Sequence, residues 1–152
     1  MAILKYPQSF CKNLNGIVSN FWWGIKDKER KLHWISWSRA SHPKSEGGMG
    51  FRDFRLFNLA YLAKQCWCML QNPNSLWVKL VKGLYYPHSN MLQATPNRKG
   101  FWIWQSLQTG LEVLREGLRQ NIGDGNNTLI WFDPWVPSTT NFKVPRLADC
   151  PL

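Results

Sequence analysis

The stretch from Pro43 to Trp67, PKSEGGMGFRDFRLFNLAYLAKQCW, limits most tightly what this chain can become. Its first half holds Gly47, Gly48 and Gly50, which tolerate positive φ or let another backbone pass close by. Its second half, Phe54 to Leu70, contains neither Gly nor Pro and follows directly on Asp53. An Asp at that position accepts the unsatisfied N–H groups of a first helical turn. Apolar side chains cover most of the resulting cylinder, with Arg55, Asn58, Gln65 and Cys68 on one strip. That pattern predicts a helix buried on more than one side.

The run W…PK..GG.GFRDF..FN.A.LAKQ.W, from Trp37 to Trp67, closely resembles the region after the polymerase active site in plant LINE-type (non-long-terminal-repeat) retrotransposon reverse transcriptases. It is similar also to short uncharacterised plant proteins, some encoded in mitochondria, that look like fragments of those polyproteins. The resemblance spans Phe10 to Pro137 through Phe21-Trp22-Trp23-Gly24, His33-Trp34-Ile35-Ser36-Trp37, Leu76-Trp77, Tyr85-Tyr86-Pro87 and Ile122-Gly123-Asp124-Gly125. It implies a thumb, the helical unit that holds primer and template by their backbones. Lys44, Arg52, Arg55 and Lys64 then lie where backbone contacts are made. Trp34, Trp37, Gly47, Gly48, Gly50, Asp53, Asn58, Trp67, Gly123 and Gly125 are the motif positions with structural roles. The sequence departs from the pattern at Cys68, where Arg is usual, and at Gln120, often Trp. The first departure removes a cation from the strip that holds Arg55 and Gln65.

Charge points the same way. The chain of 152 residues carries a net charge of +10 and ten Trp, enough length and apolar content for a real core and a basic surface over it. Such a balance favours a polyanionic partner, nucleic acid before an acidic membrane. Between Phe54 and Leu111 there is no acid, only Arg55, Lys64, Lys79, Lys82, Arg98 and Lys99, interleaved with Trp67, Trp77, Tyr85, Tyr86, Trp102 and Trp104. Cations for phosphates and rings for bases suit an RNA–DNA hybrid or a single strand, although most of these rings sit at core spacing. Cys66 and Cys68 are too close for a zinc knuckle, whose ligands are separated by about two to four residues. Without a signal peptide before them, Cys11, Cys66, Cys68 and Cys150 read as reduced thiols. The apolar runs are too short for a membrane span. A nuclear, cytoplasmic or mitochondrial location is expected rather than secretion.

In chain order, residues 1–8 form a truncated entry segment. Ser9 to Trp23 is an amphipathic helix with Phe10, Leu14, Ile17, Val18 and Phe21 on its core face, stopped at Gly24. Lys26 to Lys31 is a solvated charge run, and Leu32 to Ala40 a short helix, with a strand as the alternative. After the central helix, Leu76 to Tyr86 carries a Leu76, Leu80, Leu84 stripe, with Trp77, Val81 and Tyr85 beside it. His88 to Gly100 is a loop whose Arg98 and Lys99 are candidate phosphate contacts. Phe101 to Glu116 is a helix with Trp104, Leu107, Leu111 and Leu114 at core spacing. Leu118 to Ile122 and Thr128 to Phe132 then flank Gly-Asp-Gly-Asn-Asn, a hairpin signature. The expectation is a mainly α fold of four to five helices with a C-terminal β-hairpin, all-α to α+β. Its parts are a helical thumb-like unit over 9–117, a hairpin extension over 118–137 and a loose tail over 138–152.

Polymerase chemistry needs paired carboxylates to hold two metal ions. The chain has no Asp-Asp pair, and its nine acids are scattered. His33, His42 and His88 lack the partners of a nucleophilic triad. The Gly47–Gly50 turn lacks the Lys-Ser/Thr of a phosphate loop. No metal, cofactor or catalytic residue is therefore expected. The reading is a non-catalytic fragment of an RNA-directed DNA polymerase, with sequence-independent binding of RNA or DNA. A module docking on a separate reverse transcriptase palm, or an inactive relic, are the alternatives.

Overall fold

The structure, a computed structural model, describes residues 3–26, 29–30, 32–94, 100–126, 128–131, 133–137, 139 and 142–144. Among these described residues five α-helices form: α1 (Gln8–Trp23), α2 (Trp37–Ala40), α3 (Phe54–Gln71), α4 (Leu76–Tyr85) and α5 (Trp102–Gly117). Two-residue strands β1 (Ile25–Lys26) and β2 (Glu29–Arg30) pair antiparallel, Ile25 opposite Arg30, where a loop was expected. Short 3₁₀ turns lie at Lys44–Glu46 and Met91–Gln93.

The central pair is α3 against α5. Asn58, Leu62, Cys66 and Met69 recur at i, i+4, i+8 and i+11, so one face of α3 is buried. It meets Trp104, Leu107 and Leu111 of α5, and the core is completed by Val78, Tyr86, Met91 and Ala94. Gly110 sets the closeness of approach: a Cβ there would lie 2.5 Å from the Leu62 carbonyl carbon. Trp104 stacks between Tyr85 and Tyr86, with ring centroids 4.8 and 5.6 Å away. Arg115 of α5 donates to the carbonyls of Leu92 and Ala94, pinning the second 3₁₀ turn over the core. In the expected loop from His88, Met91 and Ala94 are thus core residues.

The entry segment is a strap across this pair. Lys5 N–H donates to Ser106 Oγ at 2.9 Å and Tyr6 N–H to Asn58 Oδ1 at 3.0 Å. The Asn58 amide returns a bond to the Leu4 carbonyl at 2.9 Å. Asn58, expected on a polar strip, is buried for this reason.

Several expectations are corrected. Only one long face of α3 is covered, since Leu56, Ala60, Lys64, Trp67 and Gln71 are exposed on the other. Helix α2 begins at Trp37 rather than Leu32, because the Ser36 hydroxyl caps it, accepting from Arg39 N–H at 3.3 Å. Helix α1 turns Cys11 and Ser19 inward and leaves Phe10, Ile17 and Phe21 outside. Helix α4 buries Val78 while Leu76, Leu80 and Leu84 face solvent.

The C-terminal β-hairpin is overturned: no strand forms among the described residues of 118–137. The Gly-Asp-Gly turn does close, Asp124 accepting from the Asn126 N–H at 3.2 Å and its side-chain amide at 2.9 Å, with Gly125 at φ 78°. Its second flank is consumed locally. Asp133 N–H donates to the Leu129 carbonyl at 2.9 Å while the Asp133 carboxylate takes Leu129 N–H at 2.8 Å. A helical turn has used the groups a ladder needs, and among the described residues the one bond back to the first flank, Gln120 N–H to Pro134 O at 2.7 Å, comes from beyond the second flank.

Candidate nucleic-acid interface

The glycine turn is a scaffold for the start of α3. Gly47 and Gly50 take φ of 76° and 72°, the left-handed region that favours glycine. Gly48 is needed for space, since a Cβ would lie 2.0 Å from the His42 carbonyl oxygen. Met49 N–H and Phe51 N–H both donate to the Ala40 carbonyl, at 3.0 and 3.2 Å, which fixes the turn against α2. Phe51 is then clasped by Trp37, stacked at 5.0 Å, and by Trp22, edge-on at 4.8 Å.

From this anchored point the chain enters α3 through Asp53. The Asp53 Oδ1 accepts Arg55 N–H at 2.8 Å and Leu56 N–H at 3.1 Å. Asn15 of α1 completes the cap: its Oδ1 accepts Phe54 N–H at 3.1 Å and its amide donates to Asp53 Oδ2 at 2.9 Å. Phe57 N–H goes to the Asp53 carbonyl. The N–H groups at this helix start are occupied from within, so they offer no phosphate site of their own. Any anion held here is held by side chains.

Those side chains are Arg52 and Arg55, on either side of the cap and both exposed. Arg52 lies over the Phe57 ring, 4.7 Å from its centroid, and Phe57 in turn meets Tyr61 edge-on at 4.6 Å. That contact holds the cation against the ring while Arg52 stays exposed to solvent. Lys44 stands exposed on the first 3₁₀ turn. Lys64 is exposed but nine residues beyond Arg55, about 180° around the helix at about 100° per residue. One flat surface of α3 does not present both. Arg98 and Lys99 lie outside the described residues.

Among the described residues no Lys or Arg pairs with a carboxylate; His42 Nδ1 lies 3.2 Å from Glu46 Oε2, an ion pair only when the imidazole is protonated. The motif positions divide. Trp37, Gly47, Gly48, Gly50, Asp53 and Asn58 build the junction just described, and Gly125 the distal turn. Trp34 is largely exposed, Trp67 half so, and Gly123 has open space around it. Sequence reasoning missed Asn15 and the strap bonds to Asn58 and Ser106. The signal for Asn15 was present: Cys11, Asn15 and Ser19 form a row at i, i+4 and i+8, small enough for a close helix approach.

No group of three or more His, Cys, Asp or Glu suited to a metal ion occurs among the described residues. Nor is any described helix long and apolar enough to cross a membrane. An open hollow of about 770 Å³ between the second 3₁₀ turn, the end of α5 and the C-terminal segment is lined by Arg115, Glu116, Asp133 and Lys143. Its charges are mixed, and Arg115 is already bonded to backbone carbonyls.

Neither a known protein-family pattern nor a solved structure matches the chain. Two proteins of Arabidopsis thaliana do. "Putative ribonuclease H protein At1g65750" is 33% identical over 156 residues, an alignment covering 99% of this chain and 25% of that longer protein. "Uncharacterized mitochondrial protein AtMg00310" is 35% identical over 141 residues, 92% of each chain. With that identity along nearly the full length of both, the chain belongs to the family of the plant mitochondrial protein AtMg00310.

Proposed function

We propose that this chain is a plant retroelement-derived module, from the thumb region of a reverse transcriptase, that holds nucleic acid by its backbone without reading sequence and without catalysing a reaction. The observation that carries the reading is the pair Arg52 and Arg55: exposed, flanking a rigid cap, and free of carboxylate partners among the described residues, on a chain of net charge +10. A relative four times longer that is named for a nucleic-acid enzyme supports it. Guanidinium forks at a fixed junction recognise phosphate geometry and not bases.

The test is fluorescence anisotropy with a labelled RNA–DNA hybrid at low and moderate salt. Micromolar binding that weakens steeply with salt is expected, because phosphate neutralisation releases counterions. Arg52→Ala with Arg55→Ala removes two contacts and flattens the log–log salt slope by about 1–2. Lys64→Ala, on the far side of α3, has the smaller effect. A flat titration from folded protein overturns the reading. It would leave the second one, a structural module docked on a separate polymerase, which the exposed Leu76, Leu80 and Leu84 of α4 favour.

A further inference from the structure

Beside the arginine pair lies a groove that backbone binding does not use. It runs between α1, His33 and the start of α2, has a volume of about 370 Å³ and reaches Asp53. Lys12, Ser19 and Asn20 line it from α1, and Trp37 and Ser38 from α2. That volume is at the small end of ligand sites, the scale of a single flat ring system. Polar groups around it lack partners. Ser19 is 6% exposed, yet its hydroxyl bonds to none of the described residues. Trp37 Nε1 is buried without an acceptor, and so is Nε1 of Trp23, on which the exposed His33 ring stacks at 5.9 Å. Buried donors left open are costly and uncommon. Two of the three such indoles among the described residues stand at this groove.

Charge and shape say which part of a nucleotide fits. Lys12 brings a cation to the lining, but the Asp53 carboxylate lines the groove as well. A phosphate entering here meets that negative charge, whereas an uncharged base does not. The hydroxyls of Ser19 and Ser38 and the amide of Asn20 can each donate or accept, so they suit the edge of any base. The His33 ring, backed by Trp23, offers a flat surface for stacking that is indifferent to base identity. Arg52 directly precedes Asp53, with about 3.8 Å between consecutive Cα atoms. A phosphate held by the arginine pair therefore leaves its own nucleotide within reach of the groove.

We propose that this groove receives the base of an unpaired nucleotide belonging to the strand whose phosphates Arg52 and Arg55 hold. The base stacks on His33, and its edge meets the open polar groups of Ser19, Asn20 and Ser38. A paired base cannot enter, because its edge is taken by its complement and its faces by its neighbours. The proposal rests on the backbone binding proposed above and adds to it a preference for strands with unpaired ends over closed duplex. It adds no reading of sequence.

Fluorescence anisotropy on the full chain compares a blunt RNA–DNA hybrid with one carrying a short single-stranded overhang, and with one whose overhang has sugars and phosphates but no bases. The natural overhang is expected to tighten binding about tenfold, the contribution of a stacked base, and the base-free overhang to add far less. Gly16→Leu fills the groove, since Gly16 lines it and a Cβ there meets nothing within 4 Å. Leu also suits a helix interior better than Gly. Gly16→Leu and, separately, His33→Ala lose the overhang preference. Both bind the blunt hybrid with the wild-type affinity and salt slope, and their helical circular-dichroism signal is unchanged. An overhang that adds nothing, a base-free overhang that adds as much, or a preference that survives Gly16→Leu overturns the groove and leaves backbone binding standing. A folded chain that binds none of these hybrids overturns both.

Discussion

Cys66 lies wholly buried between α3 and α5, its thiol donating to the Leu107 carbonyl at 3.2 Å. Burial disfavours the thiolate and pushes its pKa from an ordinary 9.0 up to about 12, with the charge of Arg115 opposing in part. The folded state therefore keeps this proton after the unfolded chain has released it. Stability from the neutral thiol is complete below pH 9 and is lost as pH rises towards 12, with a slope of up to about 1.4 kcal/mol per pH unit. Tyr86, also raised by burial, acts in the same direction at higher pH. Urea denaturation of wild type between pH 8 and 10.5 should show a falling midpoint. Cys66→Ala is less stable at neutral pH, because it leaves a cavity, yet its midpoint falls less with pH. Equal slopes in the two proteins would show that the thiol does not titrate with folding. Cys68, two residues on but exposed, shows how helix phase alone separates a sealed thiol from an accessible one.

At the level of elements, the junction of α1 and α3 rests on one reciprocal pair, Asn15 and Asp53, which together take three N–H groups of α3. Asp53→Ala removes the cap and strands the Asn15 amide, a loss of about 2 kcal/mol. Asn15→Ala is expected to cost about 1–1.5 kcal/mol, a typical net hydrogen-bond contribution. Because the two share one network, the double variant should fall short of the sum by about 0.5–1 kcal/mol in chemical denaturation. Strict additivity would mean that α1 is held by packing alone. The same junction explains what was legible. Asp53 as cap and the Trp104, Leu107, Leu111 face of α5 follow from local chemistry and period. The direction of α1 does not, because an apolar stripe says that something covers it without saying what. Here the row of small residues won the place against α3, and the cap bonds of Asn15 fixed it there. The hairpin failed for a similar reason: a single carboxylate, Asp133, offered Leu129 a nearer partner than the opposite flank. The candidate cations were legible from charge, and the half-turn between Arg55 and Lys64 from helix period. The partner of Phe54 N–H was not, since Asn15 reaches it from a different helix.

Across the whole molecule, 19 Lys and Arg stand against nine Asp and Glu, and among the described residues no Lys or Arg pairs with a carboxylate. Among the described residues that charge is therefore uncompensated by close partners, and with a net charge of +10 the compact state bears a self-repulsion that the expanded chain relieves. Two opposite salt dependences follow from this single cause. For the free protein, raising salt from about 50 to about 200 mM shortens the screening length towards about 7 Å and weakens the repulsion. The Tm should then rise, by about 2–4 °C for each kcal/mol recovered in a chain of this length. With an RNA–DNA hybrid present, the polyanion does the screening itself at low salt, and mass action lifts Tm further. That second gain should disappear over the same salt range, because counterion release no longer drives binding. The two melting curves, free and with hybrid, should converge from below and above as salt increases. A free-protein Tm that falls with salt would mean that attractive charge pairs dominate after all. A hybrid-induced gain that persists at moderate salt would point to contacts with bases or apolar surface beyond the phosphate contacts of Arg52 and Arg55.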